Sequence, residues 1–113
     1  MGKSLNQLAQ ELKKLILDAN SGTSDKSFQP EKYNNLKMSM DVVQEPTPHV
    51  RISIGISEAL YNINTQEKME GSLGQNERYV QRWFNKPNVV GNLKDCWKRR
   101  VDNRAKITDV VNA

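Results

Sequence analysis

Residues 38–57 read MSMDVVQEPTPHVRISIGIS, and within them apolar side chains keep falling on alternate positions. Met38, Met40 and Val42 alternate with Ser39 and Asp41. After the turn chemistry of EPTP, Val50, Ile52, Ile54 and Ile56 alternate with Arg51, Ser53, Gly55 and Ser57. Successive side chains of a strand point to opposite faces, so this pattern describes strands with one dry face and one wet face. A sheet of that kind needs a second layer over its dry face. The remaining sequence supplies one, because the apolar period changes to 3.6 on either side.

Upstream, Ser4 is followed three residues later by Gln7, the spacing of a capping box in which each side chain satisfies an orphaned helix N–H. Leu5, Leu8, Leu12, Leu15, Ile16 and Ala19 then recur at steps of three and four, a continuous apolar stripe. Gly22 is placed to end the helix in a left-handed conformation. NSGTSDKSFQP, residues 20–30, reads as a polar loop, and PEKYNNLK as a helical turn opened by Pro30. Downstream of the alternating region NINTQEK reads as a hairpin loop. KMEGSLG reads as a short third strand with Met69 and Leu73 pointing the same way. From Gln75 two further helices are expected, separated by NKPNVVGN, where Pro87 blocks continuation.

The expected architecture is thus α+β: an N-terminal helix, a three-stranded antiparallel meander, and two C-terminal helices packed on one face of the sheet. At 113 residues the chain fits one compact domain over residues 1–113, without a metal or disulfide staple. Its mean hydropathy of −0.75 implies a small core under a polar surface.

Cys96 is the single cysteine, so no intramolecular disulfide forms and a reducing compartment is the simpler reading. MGKSLNQLAQ lacks the apolar core of a signal peptide, and Asn6 stands where myristoylation requires Ser or Thr. No run approaches the roughly 18 apolar residues of a membrane span. A cytoplasmic protein without membrane association is expected.

Catalytic signatures do not emerge. His49 is the single histidine, and with Cys96 it lacks a third orienting group; neither H-x-x-x-H nor C-x-x-C spacing occurs. GKS at residues 2–4 has no upstream glycine loop or strand to make it a phosphate-binding loop, and EGSLG reads as a tight turn into the next helix. Glu58, Glu67 and Glu70 read as solvated charges at a strand edge. No enzymatic activity and no cofactor or metal are expected.

Charge is where the sequence becomes specific. The net charge is +4, and residues 74–113 hold nine Lys/Arg against four Asp/Glu, so the positive excess lies in the last third. A local excess of this sign draws polyanions or acidic proteins. Within ERYVQRWFNK, residues 77–86, Tyr79, Val80, Trp83 and Phe84 fall within about 140° of a helical wheel. Arg78, Arg82 and Lys86 form a separate stripe with four-residue spacing. The apolar arc reads as core, and the cations as a row for phosphates or a merely solvated face. In the final helix Leu93, Trp97 and Val101 line one face, with Lys94, Lys98 and Arg99 off it. Arg100 and Arg104 project onto the Trp97 face. Cations on such a face snorkel, find partners, or join Trp97 in contacting nucleic acid or protein.

The order helix, three strands, helix resembles that of double-stranded-RNA-binding domains, and EPTPHVRISI is loosely similar to their Pro/His loop before the second strand. That family has a lysine-rich motif at the start of its closing helix. The matching place here, GSLGQNERYVQR, holds no lysine cluster, so those phosphate contacts do not carry over and the resemblance is one of topology. The functional expectation is a nucleic-acid-binding accessory protein using Arg78, Arg82, Lys86, Trp97, Lys98, Arg99, Arg100 and Arg104. The alternative is a protein-interaction module or homodimer, contacting through Trp97 and its arginines or through the first helix's leucines.

Overall fold

The computed structural model describes residues 2–21, 36–103 and 108–111. Its element order is α1 (Leu5–Ser21), β1 (Met38–Val43), β2 (His49–Ile54), β3 (Ser57–Asn62), β4 (Lys68–Ser72), α2 (Asn76–Phe84), α3 (Val89–Asn103) and β5 (Thr108–Val111). The fold is α+β, with an antiparallel sheet of five strands in the order β4-β3-β2-β1-β5.

Two strands go beyond the expected three-stranded meander. The alternation through Ile56 reads as one strand, yet the chain reverses at Gly55–Ile56, where Gly55 has φ +63°. That left-handed conformation suits glycine and makes a tight hairpin turn. Ile56 therefore keeps the apolar rhythm while standing fully exposed at the turn, and SEALYN becomes a separate strand. The second addition is β5, which returns after α3 and pairs with β1, Met38 opposite Val111. Four residues, TDVV, carry too little periodic signal to announce a strand, although their valines favour one. Met69 and Leu73 also part company: a register irregularity between Leu60 and Tyr61 leaves Met69 exposed while Leu73 is buried.

The dry face of the sheet is made by Met38, Met40 and Val42 opposite Ile54, Ile52 and Val50, and continues through Ala59 and Tyr61. α1 packs against β1, β5, α2 and α3, and α3 also meets β1. Leu5, Leu8, Leu12 and Ile16 are buried there, so the leucines are core rather than an open contact surface. The capping box forms: the Gln7 N–H donates to Ser4 Oγ at 3.1 Å and the Ser4 N–H to Gln7 Oε1 at 2.7 Å. Lys13 lies beside the buried stripe, and burial pushes its ammonium below the ordinary lysine pKa. Gly22, the 20–30 loop past Ser21 and the turn at Pro30 lie outside the described residues.

Candidate nucleic-acid interface

α2 is short because Leu73–Gln75 turns into it and Pro87 follows it. Its N-cap residue, Gln75, makes no side-chain cap. Glu77 instead ties the preceding turn to the helix: its Oε2 accepts the Leu73 N–H at 3.0 Å and pairs with Lys68 Nζ at 3.0 Å. The Lys68 hydrogen bond, followed by the Leu73 N–H, holds the Glu77 carboxyl below its usual pKa. The helix buries Val80, Trp83 and Phe84 as the wheel predicts. Trp83 and Phe84 stand 5.0 Å apart between ring centroids, and Phe84 meets Tyr61 at 5.6 Å.

That anchorage fixes the outer side of α2. Arg78, Arg82 and Lys86 are all exposed. The guanidinium carbons of Arg78 and Arg82 each lie 5.9 Å from the centroid of Tyr79, a half-buried ring between them. Arg78 and Arg82 are thereby ordered without losing their charge, and among the described residues neither they nor Lys86 meet a carboxylate within ion-pair distance. Lys86 stands two residues past the end of α2 rather than on it, its N–H donating to the Trp83 carbonyl at 3.0 Å. The row continues the helical course for one further turn.

On α3 the expected residues divide. Lys98 is exposed, as is Lys94 one turn earlier. Arg99 is directed at the N-terminal segment, donating to the Lys3 carbonyl at 3.4 Å and to Cys96 Sγ at 3.1 Å. Arg100 is directed at the sheet: Nη1 donates to the Val42 carbonyl and lies 3.7 Å from Asp41 Oδ1. Among the described residues the pairing of β5 with β1 reaches Asp41 opposite Thr108, and Arg100 donates to the carbonyl of the next residue along β1. Trp97 packs against the core, and its Nε1 is buried without a hydrogen-bond partner among the described residues. Its polar edge is thus turned away from solvent, while the ring as a whole is partly exposed. Arg104 lies outside the described residues. Of the eight residues named from sequence, the seven described ones thus separate into an outward row of Arg78, Arg82 and Lys86, an outward Lys98, and an inward set of Trp97, Arg99 and Arg100. The wheel alone does not reveal that separation, because it shows the angle of a side chain and not the carbonyl waiting for it.

Lys3 and Asn92 close the near end of α3. The Lys3 N–H donates to Asn92 Oδ1 at 2.8 Å, and Asn92 Nδ2 donates to the Asn88 carbonyl at 2.6 Å. An open cleft of about 530 Å³ lies there, lined by Gly2, Lys3, Asn88, Gly91, Asn92 and Asp95. His49 is buried, with Nδ1 donating to the Thr47 carbonyl at 2.7 Å, and Cys96 is buried in the core. Among the described residues no three His, Cys, Asp or Glu side chains gather as a metal site, and no helix is long and apolar enough to cross a membrane. No protein-family model, curated protein or solved structure matches the chain.

Proposed function

We propose that this is a non-enzymatic accessory protein that binds the phosphate backbone of a nucleic acid through Arg78, Arg82 and Lys86. The observation that carries the reading is the bracket on α2: two exposed guanidiniums steadied by Tyr79, with no carboxylate neutralising them among the described residues. Ordered cations lose little side-chain freedom on binding, and guanidinium forks match phosphate oxygens. The test is fluorescence anisotropy with labelled oligonucleotides at 50 mM salt. Replacing Arg78, Arg82 and Lys86 together with alanine is expected to weaken binding at least about tenfold, since each phosphate contact contributes through counterion release. Affinity no tighter than millimolar, or unchanged in the triple variant, refutes it.

A second reading, a protein-interaction module or homodimer, is favoured by Ile56, which stands at 105% relative exposure on a hairpin tip. Light scattering across a concentration series of wild type and Ile56→Ser separates the two. Concentration-dependent mass that Ile56→Ser abolishes supports self-association, and a monomer throughout counts against it.

A further inference from the structure

We infer that the nucleic acid this surface takes is a duplex, held by its phosphates alone and without base readout; the inference rests on the phosphate-binding reading above. Proteins that hold single strands draw roughly 1–3 kcal/mol per base from stacking on exposed aromatic faces. Every aromatic ring among the described residues is already engaged within the protein. Trp83, Phe84 and Tyr61 are at most 2% exposed. Trp97 packs against the core with its N–H inward, and Tyr79 carries a guanidinium from each of two arginines. On the outer side of α2 the described groups left for a ligand are the cations Arg78, Arg82 and Lys86, and charge favours the denser polyanion. A duplex presents one phosphate per about 1.7 Å of axis, a single strand one per about 3.4 Å.

Geometry points the same way. Arg78 and Arg82 stand one helical turn apart, about 6 Å along the axis. Their helix is pinned from below by the fully buried Val80 and Trp83. A fixed row of this kind suits phosphates that are themselves held in a stiff array. A single strand has to be ordered first, and that ordering opposes binding.

The experiment compares a 20-base-pair DNA duplex, an RNA duplex of the same sequence, and each component strand, by anisotropy between 50 and 200 mM salt. The expected result is a duplex bound at least about fivefold tighter than either strand, with little dependence on base composition. Three phosphate contacts give a salt slope near −2.7 on a DNA duplex, hence about a 40-fold loss over that range; Arg78→Ala with Arg82→Ala removes about 1.8 of the slope. The DNA and RNA arms identify which duplex is preferred. Tighter binding to a single strand, or a strong preference for one base, overturns the duplex inference while the phosphate reading stands. Absence of any binding that depends on Arg78 and Arg82 overturns both. Both arginines are exposed, so circular dichroism of the double variant is expected to match wild type.

Discussion

Arg100 distinguishes a charge that supports the fold from one that meets a ligand. Its guanidinium donates to the Val42 carbonyl and sits 3.7 Å from the carboxylate of Asp41, whose side chain is 7% exposed. Truncation to alanine removes a charge-assisted hydrogen bond, worth about 1.5–3 kcal/mol, and leaves a carbonyl at the end of β1 to find water. The Arg100 side chain is itself 24% exposed, so solvent makes good part of the loss and the net cost comes to about 2 kcal/mol. In a domain of this length that corresponds to a fall in Tm of roughly 8–12 °C. In urea it corresponds to a midpoint shift of about 1–2 M, followed through tryptophan fluorescence. Arg100→Met, which keeps the stem, is expected to recover part of it. Under the same reasoning neither variant alters the salt slope of oligonucleotide binding. A stability change below about 0.5 kcal/mol, or a slope that falls by about one unit, refutes the assignment of Arg100 to the sheet.

Further expectations concern stability. Burial, and secondarily the charge of Glu77, raises the Tyr61 phenol to about 12. The folded state therefore keeps a proton that the unfolded chain releases near pH 10, and stability is full below pH 10 and lost as pH rises from 10 to 12. Tyr61→Phe, which also removes a hydroxyl with no hydrogen-bond partner among the described residues, is expected to flatten that decline in urea titrations at pH 9–11. Glu77→Gln, which keeps an acceptor oxygen for the Leu73 N–H but removes the charge paired with Lys68, is expected to cost about 0.5–1 kcal/mol at pH 7. Because the folded carboxyl titrates below its ordinary value, the difference should disappear as acid protonates it; persistence at pH 3 counts against the charged pairing with Lys68 and Leu73. Gly71 has φ +81°, and a Cβ there would stand 2.2 Å from the Glu58 carbonyl oxygen. Gly71→Ala should therefore destabilise by about 2 kcal/mol or more. Gly91→Ala, in open space on α3, should stabilise by roughly 0.5 kcal/mol, and thermal melts of the pair test both.

Where a signal is local, the sequence carries it well. Ser4 and Gln7 meet as their spacing implies because both partners lie within one turn. The core arc of α2 is legible because angle about a helix axis follows from residue number alone, and Val80, Trp83 and Phe84 are buried accordingly. The division into α and β layers follows likewise from the two apolar periods. The hairpin at Gly55–Ile56 is harder to see, since Ile56 preserves the alternation of a continuing strand; only the backbone reversal shows that the rhythm has passed through a turn.

Tertiary structure alone decides which cations are committed. Arg78, Arg82, Arg99 and Arg100 are the same residue type on neighbouring amphipathic helices, and nothing in their spacing separates them. They are separated by what stands opposite: Tyr79 beneath the first two, the Lys3 carbonyl before Arg99, and the Val42 carbonyl before Arg100. Val42 and Arg100 are 58 positions apart, and their meeting depends on how α3 packs against β1. A contact that long-range is written in no local pattern, because it is a property of two elements packed together. The sequence by itself determined a basic last third, two periods and a capped first helix; the packing decided which of its charges face outward.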